Sequence, residues 1–227
     1  ELWLFEDGAA VADYRAAGTL EEWRQEVAAL CVDNSRLTFA VSIAFAAPLL
    51  DLVGGESGGI HFSGESGDGK TTALRVAASV CGGPDYVKQW RASDNSMEYV
   101  ALQHCDAPLM LDELAQVNAK VLGDMIYMLG NASGKSRARA NGGLRETARF
   151  RILFLSTGEV GMASHVASVG MSATAGMEGR MAEIPARVCD DPPGIYEVLH
   201  DEASPKALSQ RLVHAAKKYH GTAFPAF

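Results

Sequence analysis

One glycine-rich segment carries residue types at the spacing that phosphate binding requires. Gly64, Gly69, Lys70 and Thr71 match the pattern G-x-x-x-x-G-K-[ST] at every required position. Glycines let the backbone curl until its N–H groups point at a phosphate, and the helix expected to begin there adds its positive end. A lysine here reaches the β- and γ-phosphates, and the following hydroxyl ligates Mg²⁺. We therefore predict a site for ATP and Mg²⁺, with a catalytic role for Lys70. The predicted nucleotide contacts are Gly64, Glu65, Ser66, Gly67, Asp68, Gly69, Lys70, Thr71 and Thr72.

A pair of carboxylates follows an apolar run about forty residues later. Asp112 and Glu113 come directly after residues 108–111, which read as a buried parallel strand. Asp112 is expected to hold the Mg²⁺ shell together with Thr71, and Glu113 to polarise the attacking water. The alternative is an ordinary junction between a strand and a helix, where acidic residues favour the helix N-terminus. The presence of a water-activating Glu113 favours hydrolysis over phosphoryl transfer to a small acceptor.

A third apolar strand, residues 151–155, also ends in polar residues. A hydroxyl there could bind the γ-phosphate or the attacking water, and Thr157 and Ser156 are both candidates for this role. Both could instead be plain turn residues. Arg180 precedes the expected last strand and is a candidate arginine finger for a neighbouring subunit, with Arg187 as second choice. The alternative for these arginines is a surface position or a structural ion pair.

The segment between Lys135 and Arg151 differs from the rest of the chain in charge. It is rich in basic residues, and Glu146 is its one acid. Asn141-Gly142 in its middle predicts a hairpin turn. The alternatives are a solvated loop or arginines that contact nucleotide across a subunit interface. We expect contact with DNA phosphates through three of its residues. These are Lys135, Arg137 and Arg139.

Composition limits the classes of function. The 227 residues carry a net charge of −8, so the chain is no general coat for DNA, and any nucleic-acid contact must come from a local basic patch. The four cysteines are far apart and contain no CxxC pair, which favours a reducing, cytoplasmic location. The apolar residues 37–53 include Pro48 and Asp51, so we interpret them as a buried helix and expect no membrane span. The start at Glu1 suggests a piece of a longer protein.

The alternation of apolar strands with helical segments predicts a parallel α/β sheet. Thr19 and Glu22 are spaced as a capping box that begins the first helix. We expect an N-terminal helical segment over residues 1–57 and the ATPase core over residues 58–227. Predicted strands are residues 60–62, 86–90, 108–111, 151–155 and 181–184. Predicted helices are residues 35–53, 71–81, 95–105, 115–129 and 206–219, and residues 158–179 are expected to be a mobile loop.

Several segments together resemble one family. They read GESGDGKTTALRVAASVCGG, WRASDN, MLDELAQ, NASGKSRAR and RILFLSTGE. The family they resemble is domain of unknown function 927, found in phage, plasmid and other mobile-element proteins, often beside primase-like modules. The resemblance extends over residues 19–222. The family's motif positions fall on Gly64 to Thr71, Asp112 and Glu113, Gly134, Lys135 and Arg137, Ser156 to Glu159, and Arg180.

This resemblance implies a P-loop NTPase core of the AAA+ or superfamily 3 helicase kind, with a basic hairpin insertion, acting as a hexameric ring. The expected function is an ATP-dependent motor on single-stranded or forked DNA, working beside a primase-like domain or protein. Two other functions stay open. One is an ATPase that remodels or loads a protein partner, and the other is a structural ring that ATP assembles but that turns over slowly.

Overall fold

The computed structural model describes residues 13–91, 94–134 and 147–227. Its strands are β1 (Gly58–Ser63), β2 (Lys88–Gln89), β3 (Ala107–Asp112), β4 (Ile152–Gly158), β5 (Met181–Pro185), β6 (Cys189–Asp190) and β7 (Pro193–Gly194). The first five form one sheet in the order β2-β3-β4-β1-β5, and all of its described pairings are parallel. This confirms the predicted parallel α/β architecture. The small antiparallel pair β6–β7 was not predicted.

Helices connect these strands and cover both faces of the sheet. They are α1 (Leu20–Trp23), α2 (Ser35–Ala46), α3 (Lys70–Ala78), α4 (Asp94–Gln103), α5 (Ala119–Gly130), α6 (Met162–Ala167), α7 (Ala175–Glu178) and α8 (Pro205–Lys218). A π-helical turn spans Arg24–Ala28, and 3₁₀ turns span Ala29–Cys31, Ala47–Leu49, Pro84–Tyr86, Leu114–Gln116 and Phe224–Ala226. None of the helices in the described part of the chain combines the length and the apolar character needed to cross a bilayer.

The N-terminal helices begin where expected, but the second is shorter than predicted. The side chain of Thr19 accepts from the Glu22 N–H and the Glu22 carboxylate accepts from the Thr19 N–H, which confirms the capping box. The predicted helix over residues 35–53 is wrong beyond Ala46. Pro48 has no N–H to donate and its ring clashes with the preceding turn, so the chain continues as a 3₁₀ turn. Leu52 and Val53 are consequently 80% and 74% exposed rather than buried.

The hydrophobic core forms two layers because side chains alternate along the buried strands. Phe62, Met110 and Leu155 face one side and pack with α2, α3 and α8. Leu109 and Phe154 face the other side and pack with α5 and its neighbours. Residues of the N-terminal helices lie in the first layer together with those of the sheet and of α8. The division of the chain at residues 57 and 58 stays a prediction.

Two further segments differ from their predicted structures. Residues 158–179 were expected to be a loop, but they include α6 and α7. Met162 and Val166 lie one turn apart and are both buried, and the Thr174 side chain caps the N–H of Met177 at the start of α7. The predicted strand over residues 86–90 shortens to β2, because Pro84 starts a 3₁₀ turn that includes Tyr86.

The predicted basic hairpin falls largely outside the described residues, as do its turn at Asn141-Gly142 and the proposed DNA contacts Lys135, Arg137 and Arg139. The described flanks pair in an antiparallel bridge between Ser133 and Arg149. The Gly134 N–H also donates to the Ala148 carbonyl at 2.8 Å.

We expect Gly59 to tolerate no larger side chain, because the Phe154 ring of β4 packs directly against it. A Cβ on Gly59 would lie 2.0 Å from Cε2 of Phe154, whose ring is buried. Gly59→Ala should lower the free energy of unfolding by about 1–3 kcal/mol, the usual cost of overpacking a core. Gly58→Ala is the matched control, because among the described residues a Cβ there meets only the Arg180 carbonyl oxygen at 3.8 Å. Urea unfolding measures both, and equal stabilities would contradict this packing of Phe154 on Gly59.

Candidate functional site

The carboxyl ends of β1, β3 and β4 open into a cleft of about 650 Å³ at one edge of the sheet. Parallel strands place their carboxyl ends at the same edge, so three separate sequence segments meet there. The cleft is lined by Ser66, Gly67, Gly69, Lys70, Thr71, Thr72, Asp112, Glu113, Thr157, Gly158, Glu159, Ser204, Pro205, Lys206, Ser209 and Gln210. Most of the predicted nucleotide contacts are therefore together on one surface.

The glycine-rich loop between β1 and α3 wraps around the side chain of Lys70. Gly67 and Gly69 have φ values of 92° and 88°, a left-handed conformation that favours glycine. The Lys70 ammonium donates to the carbonyl oxygens of Gly64 and Glu65 at 2.8 Å and 2.7 Å. Lys70 is only 8% exposed, so its charge is held at the mouth of the loop.

Asp68 stabilises this loop from within rather than lining the cleft. Its carboxylate is buried, and it accepts from the Glu65 N–H at 2.8 Å. Arg187 donates to the other oxygen of Asp68 at 3.3 Å. Arg187, the second candidate for a finger, thus lies beside the loop of its own chain. A Cβ on Gly64 would lie 2.7 Å from Asp68 Oδ2, so the turn leaves no room for a side chain there.

Asp112 brings together the ends of three elements. Its Oδ1 accepts from Thr157 Oγ1 at 2.5 Å and lies 3.4 Å from Thr71 Oγ1. The two predicted Mg²⁺ ligands, Thr71 and Asp112, are therefore neighbours. Glu113 also lines the cleft, and its backbone has a φ of 63°, which is uncommon for any residue other than glycine. Such backbone strain costs about 1–3 kcal/mol and is found most often at functional sites.

The structure separates Ser156 from the cleft. Side chains alternate along β4, so Thr157 points toward α3 while Ser156 is fully buried on the opposite face of the sheet. There the Ser156 hydroxyl is 2.8 Å from Nε1 of Trp90 and 2.8 Å from Nδ1 of His61. Of the two hydroxyls proposed from the sequence, Thr157 has the position suited to contact a phosphate.

Arg180 lies at the opposite edge of the sheet, where β5 begins. Its Nε donates to Asn131 Oδ1 at 2.8 Å, its Nη1 donates to the Gly176 carbonyl at 2.9 Å, and its guanidinium stacks 4.8 Å above the ring of Tyr127. These contacts hold the half-buried side chain in place at a distance from the cleft of its own chain. Lys135, Arg137 and Arg139 lie outside the described residues, so the structure does not place them.

Helix α8 supplies one wall of the cleft that the sequence did not reveal. Ser204 caps this 14-residue helix by accepting from the Ala207 N–H, and Lys206 lies exposed in its first turn. Ser209 and Gln210 line the same wall. The N-termini of both α3 and α8 therefore face the cleft, and each contributes partial positive charge. The Ser204-Pro205 pair signals where α8 begins, but nothing in the sequence indicates which surface it contacts.

Comparison with known proteins gives a family and a fold. The family model described as Domain of unknown function (DUF927) matches residues 3–149, more than half of the chain. No curated protein matches. A solved structure described as "SCCmec type IV Cch - active helicase" aligns with a TM-score of 0.63 at 19% identity, over 94% of this chain and 37% of that one. The chain thus spans little more than a third of that helicase, and the alignment supports a P-loop NTPase-like fold.

A weaker alignment involves NtrX from Brucella abortus in complex with ATP. It has a TM-score of 0.40 and 14% identity, and it covers 81% of this chain and 50% of that one. A score this low carries no argument about fold or function.

We expect Asp68→Ala to loosen the loop around Lys70. The substitution leaves the Glu65 N–H without its acceptor and Arg187 without its closest carboxylate, at a cost of about 1–3 kcal/mol. Amide exchange at Glu65 should become faster. Asp190→Ala is the control, because Asp190 pairs with the same arginine at 3.9 Å but its side chain is 98% exposed. Hydrogen–deuterium exchange tests this, and equal exchange in the two variants would show that Asp68 has no such role.

Proposed function

Because this chain belongs to the DUF927 family and has a P-loop NTPase-like fold, we propose that it is the ATP-hydrolysing motor of a DNA helicase or translocase from a phage, plasmid or other mobile element. The cleft is the proposed ATP site. Its contacts would be the loop residues that line the cleft, Ser66, Gly67 and Gly69 to Thr72, with Asp112 and Thr157.

The observation that carries this proposal is that several positive groups and the Thr71–Asp112 pair all face the same cleft. Lys70, Lys206 and the N-termini of α3 and α8 all face the cleft, an arrangement that suits a polyphosphate. The oxygens of Thr71 and Asp112 are 3.4 Å apart, and oxygen ligands of this kind suit Mg²⁺. Bound Mg²⁺ would neutralise charge on the β- and γ-phosphate oxygens.

Glu113 is the proposed general base. It follows Asp112 directly, and its left-handed backbone turns it away from the path of β3. In the reaction Glu113 accepts a proton from water, the water oxygen bonds to the γ-phosphorus, and the bond from that phosphorus to the bridging oxygen breaks to leave ADP and phosphate. Thr157, held by Asp112, would orient the water or the γ-phosphate.

The described lining of the cleft contains lysines but no arginine. We therefore propose that Arg180 of a neighbouring subunit completes the site and stabilises charge in the transition state. Arg180 lies at the edge of the sheet opposite its own cleft, which suits a head-to-tail ring in which one edge of a subunit faces the cleft of the next. A hexamer is the proposed ring.

The proposed DNA contacts are Lys135, Arg137 and Arg139, between β3 and β4 in sequence. Strand β3 ends at Asp112 and β4 carries Thr157, so movement of the connecting segment could follow the state of the nucleotide. Single-stranded or forked DNA is the proposed substrate, and a primase-like domain or protein is the proposed partner. We also infer a cytoplasmic location for such a motor.

Two variants separate nucleotide binding from hydrolysis. Glu113→Gln should reduce ATP turnover by at least ~100-fold, because the general base is lost, and leave nucleotide affinity within about threefold. Lys70→Ala should weaken binding by about tenfold or more, because a charge-assisted phosphate contact is lost. Equilibrium titration and a phosphate-release assay measure the two effects. Glu178→Gln, an exposed carboxylate on α7, is the control. Undiminished turnover in Glu113→Gln would contradict the mechanism.

DNA dependence tests the motor function. Single-stranded DNA should stimulate the ATPase severalfold, and Lys135→Ala combined with Arg137→Ala should abolish the stimulation, which should also weaken with added salt. Lys120→Ala with Lys217→Ala removes the same charge from exposed helical positions as a control. Turnover that responds to a protein partner but not to DNA would instead support the remodelling or loading function. Nucleotide-driven assembly with slow turnover would support a structural ring.

A further inference from the structure

A chain of buried hydrogen bonds lies directly behind the cleft. Trp90 Nε1 donates to Ser156 Oγ at 2.8 Å, Ser156 Oγ is 2.8 Å from His61 Nδ1, and His61 Nε2 is 3.0 Å from the Val160 carbonyl oxygen. Trp90, Ser156 and His61 are each 0% exposed. The catalytic steps proposed above use none of these side chains.

The hydrogen-bond partners determine which atoms of this network carry the protons. The Val160 carbonyl can only accept, so His61 Nε2 carries the hydrogen and His61 Nδ1 is the acceptor. The Ser156 hydroxyl therefore donates to His61 and accepts from Trp90. Burial lowers the pKa of His61, which keeps the ring neutral as this arrangement requires. Every member is satisfied, and a fully satisfied buried network favours one geometry.

This network of hydrogen bonds joins the elements that end at the cleft. Ser156 precedes Thr157 on β4, and His61 lies on β1 just before the glycine-rich loop. The backbone N–H of Trp90 donates to the Asp112 carbonyl at 3.1 Å. Trp90 thus bonds to β3 through its backbone and to β4 through its indole.

The register of the sheet shows why this link matters. Pairing between β3 and β4 ends at Leu111 and Ser156, one residue before Asp112 and Thr157. The hydrogen bond between Thr157 and Asp112 therefore forms where the backbone ladder has stopped. At that point Trp90 connects the two strands from the opposite face of the sheet, because its backbone N–H bonds to Asp112 and its indole bonds to Ser156.

We propose that Trp90, Ser156 and His61 form a positioning relay that sets the spacing of the strand ends carrying Asp112 and Thr157. The relay rests on the proposed ATPase function, because its effect is on hydrolysis in that cleft. Its members touch neither substrate nor metal. They fix the geometry that lets Thr157 orient the reacting groups, while the phosphates are held mainly by the separate glycine-rich loop. Loss of the relay should therefore lower kcat more than nucleotide affinity.

The protein contains a second buried serine that serves as a matched control for this proposal. Ser79 is also a buried serine whose Oγ accepts from a tryptophan, Trp23 Nε1, at 2.9 Å. Its own hydroxyl donates to the Val76 carbonyl at 2.6 Å, at the far end of α3 from the cleft. Ser79→Ala and Ser156→Ala thus remove the same kind of buried hydrogen bond, but only Ser156→Ala removes it from behind the cleft.

The experiment compares wild type, Ser156→Ala and Ser79→Ala by thermal unfolding, by equilibrium binding of a fluorescent non-hydrolysable ATP analogue with Mg²⁺, and by steady-state turnover. Both variants should lose thermal stability. We expect Ser156→Ala to bind the analogue within about twofold of wild type but to lose about tenfold or more in kcat, which equals ~1.4 kcal/mol of barrier. Ser79→Ala should stay within about twofold of wild type in both.

A spectroscopic readout tests the relay without turnover. With Trp3 and Trp23 replaced by phenylalanine, Trp90 is the remaining tryptophan. Binding of the analogue should change the emission of Trp90, and Ser156→Ala should remove this response while binding persists. Equal kcat in the two serine variants would overturn the relay and leave the proposed ATPase function in place. A Trp90 emission that does not change when nucleotide binds would have the same meaning. Failure of wild type to bind nucleotide would overturn the proposed function, and the relay with it.

Discussion

Parallel pairing of β1 with β4, and of β4 with β3, is the constraint on which the cleft depends. Parallel strands must be joined by crossover connections, so residues far apart in sequence end at one edge of the sheet. The glycine-rich loop, Asp112 and Thr157 come together for this reason alone. The same constraint sends the start of β5, and Arg180 with it, to the opposite edge. A single sheet thereby separates the cleft from Arg180, the two surfaces that the proposed ring would bring together.

The cleft also depends on the burial of the sheet on both faces. Strand β4 has no exposed face, so each polar side chain on it needs a hydrogen-bond partner inside the protein. Ser156 finds partners in Trp90 and His61, whereas Thr157, one residue on, finds Asp112 at the cleft. Adjacent hydroxyls thus serve opposite faces, one facing the core and one facing the cleft. The alternation of side chains along β4 therefore gives Ser156 its buried partners and places Thr157 beside Asp112.

Local chemistry made much of this structure predictable from sequence. The glycine-rich pattern and the acidic pair after an apolar run are short-range signals, and the structure places these residues in one cleft. The choice between Ser156 and Thr157 could not be made, because it depends on which face of β4 meets α3. The contact of Lys206 with the cleft depends on how α8 packs against the rest of the protein, and no short sequence pattern indicates that packing. Residues 158–179 look loop-like in composition, yet Met162, Val166 and Met177 are buried and support short helices.

The tether on Lys70 has a consequence for what the loop can hold. Its ammonium donates two of its three N–H groups to the carbonyls of Gly64 and Glu65, so among the described residues one N–H is left for an arriving anion. In the proposed site, a chain of linked phosphates would in addition contact the loop N–H groups and both helix termini. Because Lys70 is already held in place, binding of a polyphosphate would not have to order this side chain as well.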